Sequence, residues 1–374
     1  MRKEVHMKRR RLVIVIPLLL FLLAGFSYPE EISFETLLEE IFSVPSPSGY
    51  EHFMTRKIQQ YLPQGLAAEK DNLGSLYMTA GIGNQPLTLL ACVDEVGYIV
   101  SGINEEGYLL LDRVVPAPHQ IYDSFHVGHP MLVWTDKGAV SGVMAIPSVH
   151  ILSREGRQQL QSFSLDQAFL DIGARSKNEV TEKGVRMLDA VTPVPELTRL
   201  TGDRIAGSSL GSKTCSALLL HLAGKIEVRK PTQKTTFIWM AQTKFLARGS
   251  RPRAAMGALR AKMNLNPENV LIIDVIPVER SGQSEISLGK GPVLAYPEKS
   301  GSKLREKIEE IAKQNGIPLQ YLPGFESSLM SPFSSGETDV LTLGLPVKFP
   351  STPVEVLDLK DILALEKLLS GLLE

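Results

Sequence analysis

Disulfide-forming capacity is almost absent: the 374 residues include two cysteines, Cys92 and Cys215, too few for the framework that staples small secreted domains. A hydrophobic core must hold the fold instead. With 43% hydrophobic residues over this length there is enough to bury one, and two globular units are expected. Excess charge is missing too. The 40 basic and 41 acidic residues are well mixed and leave a formal net charge of -1, so no field of one sign draws nucleic acid or an anionic surface. Histidine is sparse, seven in all, and none follows His221. Internal repeats and low-complexity tracts are absent.

What is present begins with a basic stretch, Arg2, Lys3 and Lys8 to Arg11, followed by an apolar run over 12–23 and then Ala24-Gly25-Phe26-Ser27. This is the layout of a secretory signal. The run falls short of the roughly 20 apolar residues that span a bilayer, and extending it to Phe26 leaves an uncleaved anchor as the alternative. No cysteine follows it to carry a lipid. Residues 1–28 are therefore read as signal peptide or anchor. The remainder is expected to be secreted or periplasmic, touching a membrane only through that segment.

Apolar spacing predicts helices over 34–42 and from the turn Val44-Pro45-Ser46-Pro47-Ser48-Gly49-Tyr50-Glu51 to about residue 62. Strand-like runs over 87–91 and 97–102 flank Asp94 and Glu95. Between 115 and 201 short strands and turns dominate. Beyond them, strand-like segments at 235–240, 270–275 and 341–343 alternate with helical spacing over 213–223, 253–263, 303–315 and 357–373. This order predicts an α/β sandwich over 29–114 and 202–374, interrupted by a small β-rich domain over 115–201.

The succession Pro47-Ser48-Gly49-Tyr50-Glu51, Asp71-Asn72-Leu73-Gly74, Asp94-Glu95-Val96-Gly97, Asp171-Ile172-Gly173-Ala174-Arg175-Ser176, Gly289-Lys290-Gly291-Pro292 and Thr338-Asp339 resembles metallopeptidase family 42, the glutamyl, deblocking and tetrahedral aminopeptidases. The resemblance covers nearly all of 34–373. It implies a zinc-aminopeptidase-like α/β/α sandwich with an inserted β-barrel-like domain, two zinc or cobalt ions, removal of N-terminal residues from peptides, and homo-oligomeric assembly.

Two adjacent metals that make hydroxide from water need a bridging carboxylate, His and carboxylate ligands and a separate Glu as base. Set against the family's motifs, the first His position is Cys92, while the Asp that orients it is retained as Asp94. The bridging Asp falls on Gly211, beside Ser212. The base position is Thr243, which cannot take a proton near neutral pH, and the next ligand is Lys244, an ammonium in a cation's place. Asp274 matches a retained acidic ligand, and the last His position is Ser351. Cys92 and Asp274 are thus vestigial metal positions, with Gly211, Lys244 and Ser351 replacing ligands. No catalytic residue is expected to function and no cofactor is expected.

Lys244 is a candidate ion-pair partner for Asp274, because a buried carboxylate needs one. Cys92 and Cys215 are expected as buried thiols, with a disulfide as the alternative. His119, His126 and His129 are expected as solvated loop histidines, and Lys213 as a surface or helix-start charge. The leading reading is a degenerate pseudoenzyme with a binding, assembly or regulatory role, whose partners are peptides or an active paralogue. The alternative is an active metal-dependent peptide hydrolase with a rebuilt, mononuclear site on Cys92, Asp94 and Asp274, holding zinc or cobalt. Glu95 and Glu337 are its candidate bases by proximity in sequence.

Overall fold

A computed structural model describes residues 32–63, 65–83, 86–148, 150–159, 163–226, 233–247, 253–278, 286–298, 301–334 and 337–374. The expected signal or anchor lies outside the described residues. No helix among them is long and apolar enough to cross a membrane.

The chain opens with α1 (Phe34–Phe42), capped by the Ser33 hydroxyl, which accepts the Thr36 N–H at 3.2 Å. Its Leu37, Leu38, Ile41 and Phe42 recur at helical spacing and are buried. Next come α2 (His52–Tyr61), β1 (Ala68–Lys70), β2 (Leu76–Ala80) and β3 (Leu87–Cys92). The inserted region holds β4 (Tyr98–Ile103), β5 (Leu109–Arg113), β6 (Pro130–Thr135), β7 (Gly138–Ala145), α3 (Arg154–Gln159), β8 (Phe169–Asp171), α4 (Lys177–Glu182) and β9 (Ala190–Pro193). It is followed by β10 (Thr198–Arg199), β11 (Arg204–Gly207), α5 (Leu210–Lys225), β12 (Thr235–Met240), α6 (Met256–Leu265), β13 (Asn269–Pro277) and β14 (Val293–Tyr296). The chain closes through α7 (Lys303–Gln314), β15 (Gln320–Pro323), β16 (Asp339–Val347), β17 (Glu355–Asp358) and α8 (Leu359–Leu373).

The main sheet has the order β1-β2-β12-β3-β13-β16-β14-β15, and β12, β3, β13 and β16 run parallel at its centre. Every residue of β3 is buried because both faces are covered. Leu89 and Ala91 face the core built with α1, α5 and α8, while Leu90 and Cys92 face the one built with α6. Strands β4-β5-β8-β7-β6-β9 close into a barrel around Tyr98, Val100, Leu109, Met131, Val133 and Leu170. The barrel thus includes β4 and β5, which the sequence pattern places with the sandwich. Their alternation suits either sheet, and only pairing decides between them.

Two charged positions differ from expectation. Lys213 is buried in α5, 3.3 Å from Glu95 Oε2, each side chain 5% exposed. Its ammonium also donates to the Phe42 carbonyl at 3.2 Å, and Glu95 Oε1 accepts the Ser46 N–H at 2.8 Å. It is therefore no surface charge, but half of a buried pair that joins α1, α5 and the end of β3. His126 is buried as well, with Nδ1 2.9 Å from the Tyr98 hydroxyl, and burial holds its imidazole down to about 4. Of the three clustered histidines, only His129 is exposed.

Lys213→Met leaves Glu95 buried without its cation, so urea unfolding should show a loss of about 3–5 kcal/mol. A loss below about 1 kcal/mol would mean that the pair does not hold these elements together.

Candidate functional site

In open sheets with parallel strands, ligands bind beyond the carboxyl ends of those strands. Here Met240 of β12 pairs with Cys92 of β3, and Ile273 of β13 pairs with Ala91. Asp274 therefore stands level with Cys92, and the segments 93–95 and 241–244 leave the sheet side by side. Opposite them lie the N-terminus of α5 and the loop before β17. Ser209, Gln242, Phe349 and Ser351, none of them glycine, all have positive φ (52°, 54°, 53° and 58°). Such strain concentrates where the surrounding structure imposes an unusual chain path.

Asp94 is fully buried, and three donors hold its carboxylate. Ser48 Oγ donates to Oδ2 at 2.5 Å, the Lys244 N–H donates to the same oxygen at 2.9 Å, and Thr243 Oγ1 donates to Oδ1. Beside it, Glu51 accepts the Gln242 N–H at 2.8 Å. Burial first, and then the Asp94 charge, push its carboxyl from 4.5 to about 7. Glu355 Oε2 accepts the Gly211 N–H at 3.0 Å, and Oε1 accepts the Ser351 N–H at 2.9 Å.

Lys244 is half-buried by area, while its charged end is deeply surrounded by protein. Burial opposes the charge, but Cys92, Asp94, Asp274 and Glu355 outweigh it and leave the ammonium firmly protonated. Burial likewise raises Asp274 and Glu355, with Lys244 pulling both back. No ion pair within 4.0 Å joins Lys244 to Asp274 among the described residues. The direct pair expected from the sequence is thus replaced by a charge shared at longer range, because the Lys244 backbone is tied to Asp94. Cys92 and Cys215 are both buried free thiols, and burial followed by the Asp274 charge lifts Cys92 to about 12.

The positions singled out in sequence do converge: Cys92, Asp94, Thr243, Lys244 and Asp274 at the strand ends, Gly211 across from them and Ser351 at the rim. Gly211 is bare for a steric reason, since a Cβ there would lie 2.3 Å from Val275 Cγ1. Glu95 is taken up by Lys213 and Ser46, and Glu337 is exposed. Two participants were missed. Glu355 closed the stretch that begins at Ser351, Glu51 closed the Pro-Ser-Gly-Tyr-Glu motif, and each could have been flagged as an acid inside a matched motif. His119, expected as a solvated loop histidine, is half-buried and reaches over from the barrel side with Nε2 3.2 Å from the Ser351 carbonyl.

The profile of the M42 glutamyl aminopeptidases matches residues 74–368 of this chain. The chain belongs to the M42 peptidase family. Among its relatives, the lysyl aminopeptidase of Pyrococcus furiosus is 28% identical over 349 residues, covering 90% of this chain and 96% of that protein. The putative aminopeptidase FrvX of Escherichia coli is 24% identical, with coverages of 81% and 84%. Among solved structures, the TET1 peptidase of Pyrococcus horikoshii, described as assembling into a tetrahedron or a large octahedral shell, superposes with a TM-score of 0.78 at 26% identity. That match covers 91% of this chain and 99% of that one.

M42 aminopeptidases depend on metal, so the donor set of this member has to be weighed against two cations. Asp94 and Glu355 already accept five hydrogen bonds between them. A protonated Lys244 shares the space, and no three His, Cys, Asp or Glu side chains among the described residues converge as a metal-holding group. These residues do not fit a dinuclear centre.

The raised Glu51 carboxyl gives a signed pH effect. Its contribution to stability is full below about 4.5 and is lost as pH rises through about 7. Glu51→Gln should remove that dependence and gain at most about 3 kcal/mol over wild type at pH 8, read from urea melts across pH 5–8. Parallel profiles for the two proteins would contradict it.

Proposed function

We propose that this M42 member binds in its cleft without hydrolysing, as a non-catalytic homologue of the aminopeptidases. The observation that carries the reading is the 241–244 loop. Where hydrolysis needs a carboxylate base, Thr243 spends its hydroxyl proton on Asp94, and Lys244 brings an ammonium where a dication would sit. The steric closure at Gly211 supports it, since a bridging carboxylate would displace Val275. The partners proposed are peptides or an active paralogue. A homo-oligomer is proposed by analogy with the TET1 peptidase, described as assembling into a tetrahedron or a large octahedral shell. The N-terminal layout supports a secreted or periplasmic location.

Purified protein lacking residues 1–28 should carry well under one zinc or cobalt per chain by plasma mass spectrometry. It should also leave a mixed set of aminoacyl fluorogenic substrates uncut with either metal added. Stoichiometric metal together with chelator-sensitive turnover would overturn the proposal in favour of a rebuilt site.

A further inference from the structure

The barrel carries a cavity that the cleft does not use. Leu109 of β5 pairs with Leu170 of β8, and both point into the barrel core. Side chains alternate across a strand, so the residues flanking that pair, Tyr108, Leu110 and Phe169, stand on the outer face. There they line a cavity of about 320 Å³ together with Pro147, Leu152 and Asp166. That size takes one side chain or a small fragment. Gly107, at φ 88°, turns the chain into β5, and a Cβ there would lie 2.9 Å from the Ala174 carbonyl oxygen. Asn104 closes the same turn, its Oδ1 accepting the Tyr108 N–H at 2.8 Å. Tyr108 is thereby placed beside Phe169, with ring centroids 4.5 Å apart and planes tilted by 51°. Asp166 belongs to a single helical turn, Leu165–Gln167, where Oδ1 accepts the Ser164 hydroxyl and Oδ2 has no partner among the described residues. Exposed acids predominate around the opening, with Glu105, Glu106 and Glu155 set against Arg154 and Arg157. Arg157 is partly engaged, its Nε donating to the Leu152 carbonyl at 3.2 Å.

We infer that this cavity on the outer face of the barrel binds a guanidinium group, carried by an arginine side chain of a peptide or by a small guanidine. Aromatic faces are electronegative and attract a cation within about 6 Å of the ring centre. A planar guanidinium stacks on a ring while donating in its own plane to a carboxylate, so it uses the Tyr108 and Phe169 wall and Asp166 Oδ2 together. A compact ammonium is more strongly hydrated and gains less from the rings. An anion meets the Asp166 charge, and a neutral apolar group leaves that carboxylate without a partner. No lining residue belongs to the cleft, so the inference is independent of the non-catalytic reading.

The test is saturation-transfer NMR on the full-length protein, with Nα-acetylarginine amide, its neutral isostere Nα-acetylcitrulline amide, and n-butylguanidine as probes. The arginine probe should bind saturably with a Kd of about 0.1–1 mM. The citrulline probe should bind at least about tenfold more weakly. Asp166→Asn, at an exposed position where the new side chain keeps an oxygen for Ser164, should weaken the arginine probe about tenfold. Tyr108→Ala should weaken it about threefold. Tighter binding of the arginine probe than of n-butylguanidine marks a peptide side chain as the source, and equal or weaker binding marks a free guanidine; both support the site. Equal binding of the arginine and citrulline probes would overturn the inference, as would no saturation by about 10 mM. Charge-selective binding that Asp166→Asn leaves unchanged would also overturn it, since the acidic cleft would then be the place of binding. Should Tyr108→Ala fail to fold, Asp166→Asn decides alone.

Discussion

A carboxylate removed from water at the end of a central strand has to be surrounded by donors, and Asp94 is where this requirement organises the molecule. Ser48 comes from the turn before α2, while Thr243 and Lys244 come from the loop after β12. Meeting the demand of one side chain therefore fixes the relative positions of three chain segments. Gln242 takes its left-handed conformation between these anchors, and its N–H is bound by Glu51 from the same turn. Gly257 completes the arrangement, because a Cβ there would lie 2.1 Å from the Ala241 carbonyl oxygen. Helix α6 can come this close only with a bare backbone.

The same constraint shapes the chemistry. An Asp94 held by three protein donors is a structural anion, already satisfied. Glu355 is held in the same way by two backbone amides, so Asp94 and Glu355 are both tied into the fold. The protonated Lys244 ammonium offsets part of the acidic charge of that space.

Much of the fold could be read along the chain. The strand at 235–240 and the helix at 34–42 came out with the observed ends, because β-branched and aromatic enrichment or 3–4 spacing marks them without help from neighbours. The helix beginning after residue 253 starts later than its apolar spacing suggests. Leu246 and Ala255 pair as a bridge, which holds that stretch extended until Met256. The strand at 341–343 proved to be three times as long, since Pro346 and Gly344 break its propensity but are carried by pairing with β13.

The sequence by itself determined which side chains stand at the strand ends and which chemical groups are missing there, because motif order along the chain preserves their positions. It also determined the alternation of strands and helices around a β-rich insertion, through hydrophobic period. Only the tertiary structure decided that β4 and β5 belong to the barrel, that Lys213 and His126 are buried, and that Glu51 and Glu355 join the cleft. It alone decided that Lys244 is shared among four groups instead of paired with one. These are properties of packing between segments distant in sequence, where burial and charge depend on neighbours that no local pattern specifies.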